Sequence, residues 1–164
     1  MKKLGAFALL LLLTACGFRP LYEADGSSGA MQEHLASIEV APIPDRLGQQ
    51  MRNRLLDRLN TGGVPRYRLE VSLAQESEGY GIRPDAAATQ EQLTMFATVK
   101  LVDLNGEGLV FEENMRSTTS YDLVLSDYAI LTRREDSARR LVLELAERIH
   151  RRLAIHFSKA DAEE

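Results

Sequence analysis

Apolar residues along this chain change their spacing several times, and each change marks an element. Over residues 35–43, Ile38 and Val40 face one way with Ala36 in phase, which predicts a strand. Pro42 and Pro44 end it, because each removes a ladder donor. Asp45 then suits a helix N-cap, and Leu47, Met51, Leu55, Leu56 and Leu59 follow at helical spacing until Gly62-Gly63 closes the segment. Three strand patterns come next. Tyr67, Leu69, Val71 and Leu73 alternate with Arg66, Arg68, Glu70 and Ser72. Leu93, Met95, Ala97, Val99 and Leu101 alternate with Thr94, Phe96, Thr98 and Lys100. Phe111, Met115 and Tyr121 share one parity over 109–121, and Asn105-Gly106 before them suits a tight turn with positive φ. In the last segment Ala138, Leu141, Val142, Leu145, Ile149 and Leu153 form a stripe at about 100° per residue. Beside the stripe, Glu135–Arg139, Asp136–Arg140, Glu144–Arg148 and Glu147–Arg151 place an acid one turn before a base. The predicted class is α+β, a two-layer sandwich of β-α-β-β-β-α order with two helices on one face of a four-stranded sheet.

The chain start follows different rules. Lys2 and Lys3 precede an apolar run from Leu4 to Leu13, well short of the roughly 20 residues that span a membrane. The run ends in Leu13-Thr14-Ala15-Cys16, and Cys16 is the single cysteine of the 164 residues. This lipobox resembles the bacterial lipoprotein signal. The resemblance implies cleavage before Cys16, an S-diacylglycerol on its sulfur and an N-palmitoyl group on its new amine. Gly17, where an aspartate would signal retention at the inner membrane, implies sorting to the outer membrane. The expected organisation is therefore a signal peptide at 1–15 and an acylated N-terminus with a flexible Gly/Ser-containing tether at 16–33. A single domain at 34–158 and a disordered tail at 159–164 complete it.

Composition narrows the function. The chain carries 20 basic and 24 acidic side chains, and removing the signal takes two of the lysines, so the mature protein is acidic. That balance disfavours nucleic acid as a partner. One cysteine permits no internal disulfide, so packing alone must stabilise the domain in an oxidising compartment. His150 and His156 are not spaced for one helix face, no second cysteine completes a zinc site, and no serine has a recognisable base partner. The expectation is a non-enzyme without cofactor or metal.

Two sets of residues invite binding. The connection at 78–92 is long for a compact domain and carries Tyr80, Ile82 and Arg83. It reads either as a binding loop, or as an ordinary mobile loop or extended twisted hairpin. Lys100 and Arg116 fall on adjacent strands and can share one sheet face, with Arg66 and Arg68 on a neighbour. They suit lipid phosphates, or they are the solvated side of a one-sided sheet.

Cys16-Gly17-Phe18-Arg19-Pro20-Leu21-Tyr22, the element order and the later Tyr121, Tyr128-Ala129 and Asp136-Ser137-Ala138 leading into a long helix resemble the LPS-assembly lipoprotein family (LptE-like) in its alphaproteobacterial form. The resemblance implies an outer-membrane lipoprotein, its domain on the periplasmic side and within a barrel lumen. It would plug and help assemble the LptD-like β-barrel LPS translocon and assist insertion of lipopolysaccharide into the outer leaflet. Lipopolysaccharide and the barrel are the implied partners. A tethered domain of this kind also suits an auxiliary lipoprotein of an ABC-type lipid transporter or a regulator of cell-wall synthesis.

Overall fold

The computed structural model describes residues 26–59, 62–82, 88–106, 108–123 and 126–163. The signal, Cys16, the motif through Tyr22 and Arg83 lie outside them. The elements are α1 (Gly26–Ala36), β1 (Ile38–Val40), α2 (Asp45–Leu59), β2 (Tyr67–Ile82), β3 (Ala88–Asp103), β4 (Gly108–Asp122) and α3 (Asp127–Glu163). The strands lie side by side in the order β1-β2-β3-β4, with β1 parallel to β2 and the rest antiparallel. The β-α-β-β-β-α order expected from the periodicities is thus present, preceded by one more helix.

Strand parity decides what is buried. On β3, Leu93, Met95, Ala97, Val99 and Leu101 are at most 1% exposed, while the intervening residues stay open or half-buried. Leu69 and Val71 of β2 and Met115 of β4 join them. Against this row α2 brings Met51, Leu55 and Leu59, and α3 brings Leu141, Leu145, Ile149 and Leu153, all buried. Each such side chain contributes about 1.5–3 kcal/mol by leaving water. Both helices lie on one side, so the opposite sheet face is uncovered among the described residues.

Four sequence expectations change. The 78–92 connection is mostly strand: β2 runs to Ile82 and β3 starts at Ala88, pairing Tyr80 with Gln90 and Ile82 with Ala88. It is the extended hairpin, because β2 and β3 each continue for 16 residues. The expected strand at 35–43 shrinks to three residues, since Leu35 and Ala36 belong to α1. That helix also occupies part of the stretch expected to be a flexible tether. Its Gly/Ser composition is overridden by tertiary packing, with Met31 and Leu35 buried and His34 stacked on Phe157, centroids 5.0 Å apart. At the other end α3 continues to Glu163 instead of giving way to a tail at 159, and buried Phe157 anchors its last turns.

Ion pairing along α3 also differs. Asp136–Arg140 (3.3 Å) and Glu144–Arg148 (2.7 Å) form as spaced. Glu135 instead meets Arg46 of α2 at 3.4 Å, and Glu147 accepts from Arg54 and Arg58 of α2 at 2.6 and 2.9 Å. These charges therefore join the two helices where the spacing predicted pairs within one.

Gly48 marks the closest approach inside α2. A Cβ there would lie 2.7 Å from Ile43 Cγ2 and 2.8 Å from the Ile43 carbonyl oxygen. Gly48→Ala gains about 1 kcal/mol of helix propensity but forces backbone apart, an overpacking cost of about 1–3 kcal/mol. Denaturant unfolding should show a net loss of stability. An unchanged or raised midpoint would mean that the Ile43 turn yields freely.

Candidate functional site: the uncovered sheet face

The even-numbered residues of β2, β3 and β4 share the face away from the helices, and their registers place them in cross-strand rows. One row is Glu70–Lys100–Glu112, the next Ser72–Thr98–Asn114, then Ala74–Phe96–Arg116 and Glu76–Thr94–Thr118. The row of Tyr80, Gln90 and Asp122 lies near the hairpin end. Most of these side chains are polar, those in the middle rows short, and several neighbours are tied to one another. Thr98 Oγ1 donates to Asn114 Oδ1 (2.7 Å), Thr94 and Thr118 hydroxyls lie 3.1 Å apart, and Gln90 Nε2 donates to Asp122 Oδ1 (2.9 Å). The face is an ordered polar ladder with one aromatic ring, Phe96, in its middle.

The structure brings three of the five sequence-chosen contact residues onto this face: Tyr80, Lys100 and Arg116. Ile82 is in β2 by its backbone, and Arg83 lies outside the described residues. The cations are unequal. Lys100 Nζ is 3.5 Å from Glu112, and Arg68 is 3.5 Å from Glu39. Arg66 is 3.9 Å from Asp103 and sits over the Tyr67 ring at 5.2 Å. Arg116 alone of these four has no acidic partner among the described residues, and it stands across from Phe96. A guanidinium beside an aromatic ring offers both a phosphate donor and an apolar contact.

On the helix side, a second polar cluster escaped the sequence reading. Glu91 of β3 is 7% exposed and receives a two-pronged bond from Arg134 of α3, Nε to Oε1 at 3.0 Å and Nη2 to Oε2 at 2.7 Å. Tyr121 of β4 donates to the same Oε1 at 2.7 Å. Hydrogen bonding by Arg134 holds the Glu91 carboxyl below its ordinary range, against the effect of burial. Burial chiefly pushes the Tyr121 hydroxyl up. Glu91 continues the buried parity of Leu93 to Leu101, as Asp103 does at the other end. A charged residue in phase with a buried row was the available signal. Its partner, 43 residues away, was not.

His150, on α3, is buried, and desolvation lowers its pKa, opposed by Glu147 and aided by Arg58 and Arg151. His156 packs between Phe111 and Phe157, centroids 5.4 Å from each. Among the described residues no cluster of three His, Cys, Asp or Glu could hold a metal ion, and no helix is long and apolar enough to cross a membrane.

Among the described residues the sheet is covered by helices on one side and leaves a polar face with Phe96 open on the other, a two-layer α+β domain. The chain belongs to the lipopolysaccharide-assembly (LptE) family, whose profile matches residues 35–153. It is similar to an uncharacterized protein of Rickettsia prowazekii, 26% identical over 149 residues that span 91% of this chain and 93% of the relative. Among solved structures it resembles a Caulobacter crescentus protein described as a lipoprotein (TM-score 0.63, 23% identity, 81% of this chain and 98% of the other). Rare lipoprotein B of Shewanella oneidensis is also similar (TM-score 0.60, 17% identity, 78% and 98%). At those identities the structural likenesses concern the fold alone.

Two outcomes follow for the polar clusters. Folded His150 has its pKa below the ordinary histidine value of about 6.5. Its contribution to stability is therefore complete above that value and declines as pH falls toward the folded pKa. Thermal unfolding between pH 7 and 5 should show this slope in the native chain and lose it in His150→Leu. An equal slope in both would clear His150. Arg134→Met leaves the Glu91 carboxylate with only the Tyr121 and Ser77 hydroxyls, and should cost about 1–3 kcal/mol at pH 7. Because Glu91's folded pKa is depressed, that penalty should shrink as pH drops below the ordinary carboxylate range. A penalty constant down to pH 3 would show that packing, not charge, was lost.

Proposed function

We propose that this chain is an outer-membrane lipoprotein, anchored through an N-palmitoyl, S-diacylglycerol Cys16, that plugs and helps assemble an LptD-like β-barrel translocon. In this reading the folded domain sits on the periplasmic side and within the barrel lumen, and assists insertion of lipopolysaccharide into the outer leaflet. Family membership supports the lipopolysaccharide-assembly role, and the lipobox supports the anchor.

The observation that carries the plug is the shape and chemistry of the uncovered face. Strands of 15–16 residues extend about 50 Å at the usual rise per residue, while three of them side by side are only about 15 Å wide. Helix α3, with 37 residues, runs about 55 Å. Barrel lumens are polar, and a long, narrow body faced with Ser, Thr and Asn can exchange hydrogen bonds with such a wall at little desolvation cost. Arg116 beside Phe96 supplies the one place on the face where a phosphate and an acyl chain could both be met.

Purification of the full chain from membranes should recover a barrel several times its size. Cys16→Ala should recover less of it, by losing membrane residence. Thr98→Trp, which puts bulk in the middle of the polar ladder without touching the core, should reduce barrel recovery while leaving the melting temperature near that of the native chain. Recovery of only soluble periplasmic proteins would sink the proposal.

A further inference from the structure

The sheet treats its open edges differently. β1 bonds to β2 only from Ile38 to Val40, and Ala41 N–H then donates to Leu69 O at 2.9 Å. Pro42 follows, with no N–H to give, and the chain turns away into α2. Among the described residues no main-chain bond other than those to β3 reaches β2 beyond that point. Since Leu69 turns its main-chain groups toward β1, strand alternation turns those of Val71, Leu73, Gln75, Ser77 and Gly79 the same way, onto an unoccupied edge.

Elsewhere, among the described residues, three outward carbonyls are taken by arginines. Arg52 Nε donates to Val40 O (3.2 Å), Arg148 to Arg116 O (2.7 Å) and Arg133 to Asp122 O (3.2 Å). Arginines thus blunt β1 and β4, one of the usual guards against unwanted strand pairing. The distal edge of β2 has no such guard, and contains neither proline nor lysine.

Cavities flank this edge on both faces where β1 leaves it. On the helix side a cavity of about 290 Å³ is bordered by Ile43, Leu47, Leu73 and Met95. On the uncovered side one of about 450 Å³ is bordered by Pro42, Glu70, Ser72, Thr98 and Lys100, the last paired with Glu112 at 3.5 Å. Along that same side Glu70, Glu76 and Glu78 have no cationic partner among the described residues. We infer that the β2 edge over residues 71–79 receives an extended strand from a protein partner, in line with β1, with apolar side chains on the helix side alternating with basic ones on the open side. Main-chain bonds would supply affinity, while the apolar cavity and the three carboxylates set which sequence fits.

The test uses the full chain in detergent and a synthetic peptide alternating leucine and lysine over about nine residues, the length that spans 71–79. The peptide should bind, and amide exchange should slow by about tenfold at Val71, Leu73, Gln75, Ser77 and Gly79 but not at the even positions, which already bond to β3. A scrambled peptide of the same composition, or one N-methylated at alternate amides, should bind about tenfold more weakly. Gln75→Pro removes an edge donor without touching the β3 ladder and should weaken binding at an unchanged melting temperature. Glu76→Lys with Glu78→Lys should do so through charge. Equal binding by the scrambled peptide, protection on β4 instead, or protection of the odd amides before any peptide is added would each overturn the inference. The last result would give the edge to a second copy or to the chain's own residues.

Discussion

Everything in this domain depends on the alternation along β3. It is the central long strand, paired on both sides over nearly its whole length. Its odd positions from Leu93 to Leu101 are sealed beneath the helices. A slip of one residue would carry five apolar side chains to water and bring Thr94, Phe96, Thr98 and Lys100 inside, so the register is strongly specified. The two acids that continue the buried row are each satisfied. Glu91 is gripped by Arg134 and Tyr121, and Asp103 accepts the Asn105 amide at 2.7 Å and lies near Arg66. Glu91 could not keep Arg134 and Tyr121, nor Asp103 its nearness to Arg66, if β3 shifted. The ends of the strand thus reinforce the register that its middle requires.

The helices follow from that row. Leu145, Ile149 and Leu153 of α3 and Met51 and Leu55 of α2 cover it, and Glu147 then lies between Arg54 and Arg58. This pairing is partly open to solvent, so it contributes orientation more than energy. It keeps α2 beside α3, with α3 lying over β3 and β4 and α2 toward β1. Once the two helices share one face, none of the described residues covers the other.

Much of this was legible in the sequence because period-two and helical spacings report burial directly. The parities of Tyr67 to Leu73, Leu93 to Leu101 and Phe111 to Tyr121, and the stripe from Ala138 to Leu153, name the covered face. The structural neighbourhood of Tyr80, Lys100 and Arg116 follows from the same parity. What was not legible rests on distant partners. The hairpin extends through Gly79 and Gly81 because β3 pairs with it, although its own pattern reads as a loop. Gly81, at φ 71° with the Thr89 hydroxyl donating to its carbonyl at 2.7 Å, shows how the glycine is used inside the ladder. Helix α1 exists because His34, Met31 and Leu35 find Phe157 and the core, a contact that no local propensity signals. Glu135 and Glu147 have well-spaced arginines on their own helix, yet they bond across to α2 because those partners are held in place by packing.

Two of the cavities among the described residues are open grooves beside β2, and Arg116 and Phe96 lie in one row of the sheet. Helices fill the only side on which a deep chamber could form. The remaining routes to a partner are the polar face, which offers side-chain hydrogen bonds over the length of three strands, and the sheet edges, which offer main-chain bonds. Arginines from α2 and α3 occupy carbonyls along two of those edges. The same helices that create the one-sided sheet therefore also cap points on its borders, and among the described residues the stretch of β2 beyond Leu69 accepts no such arginine.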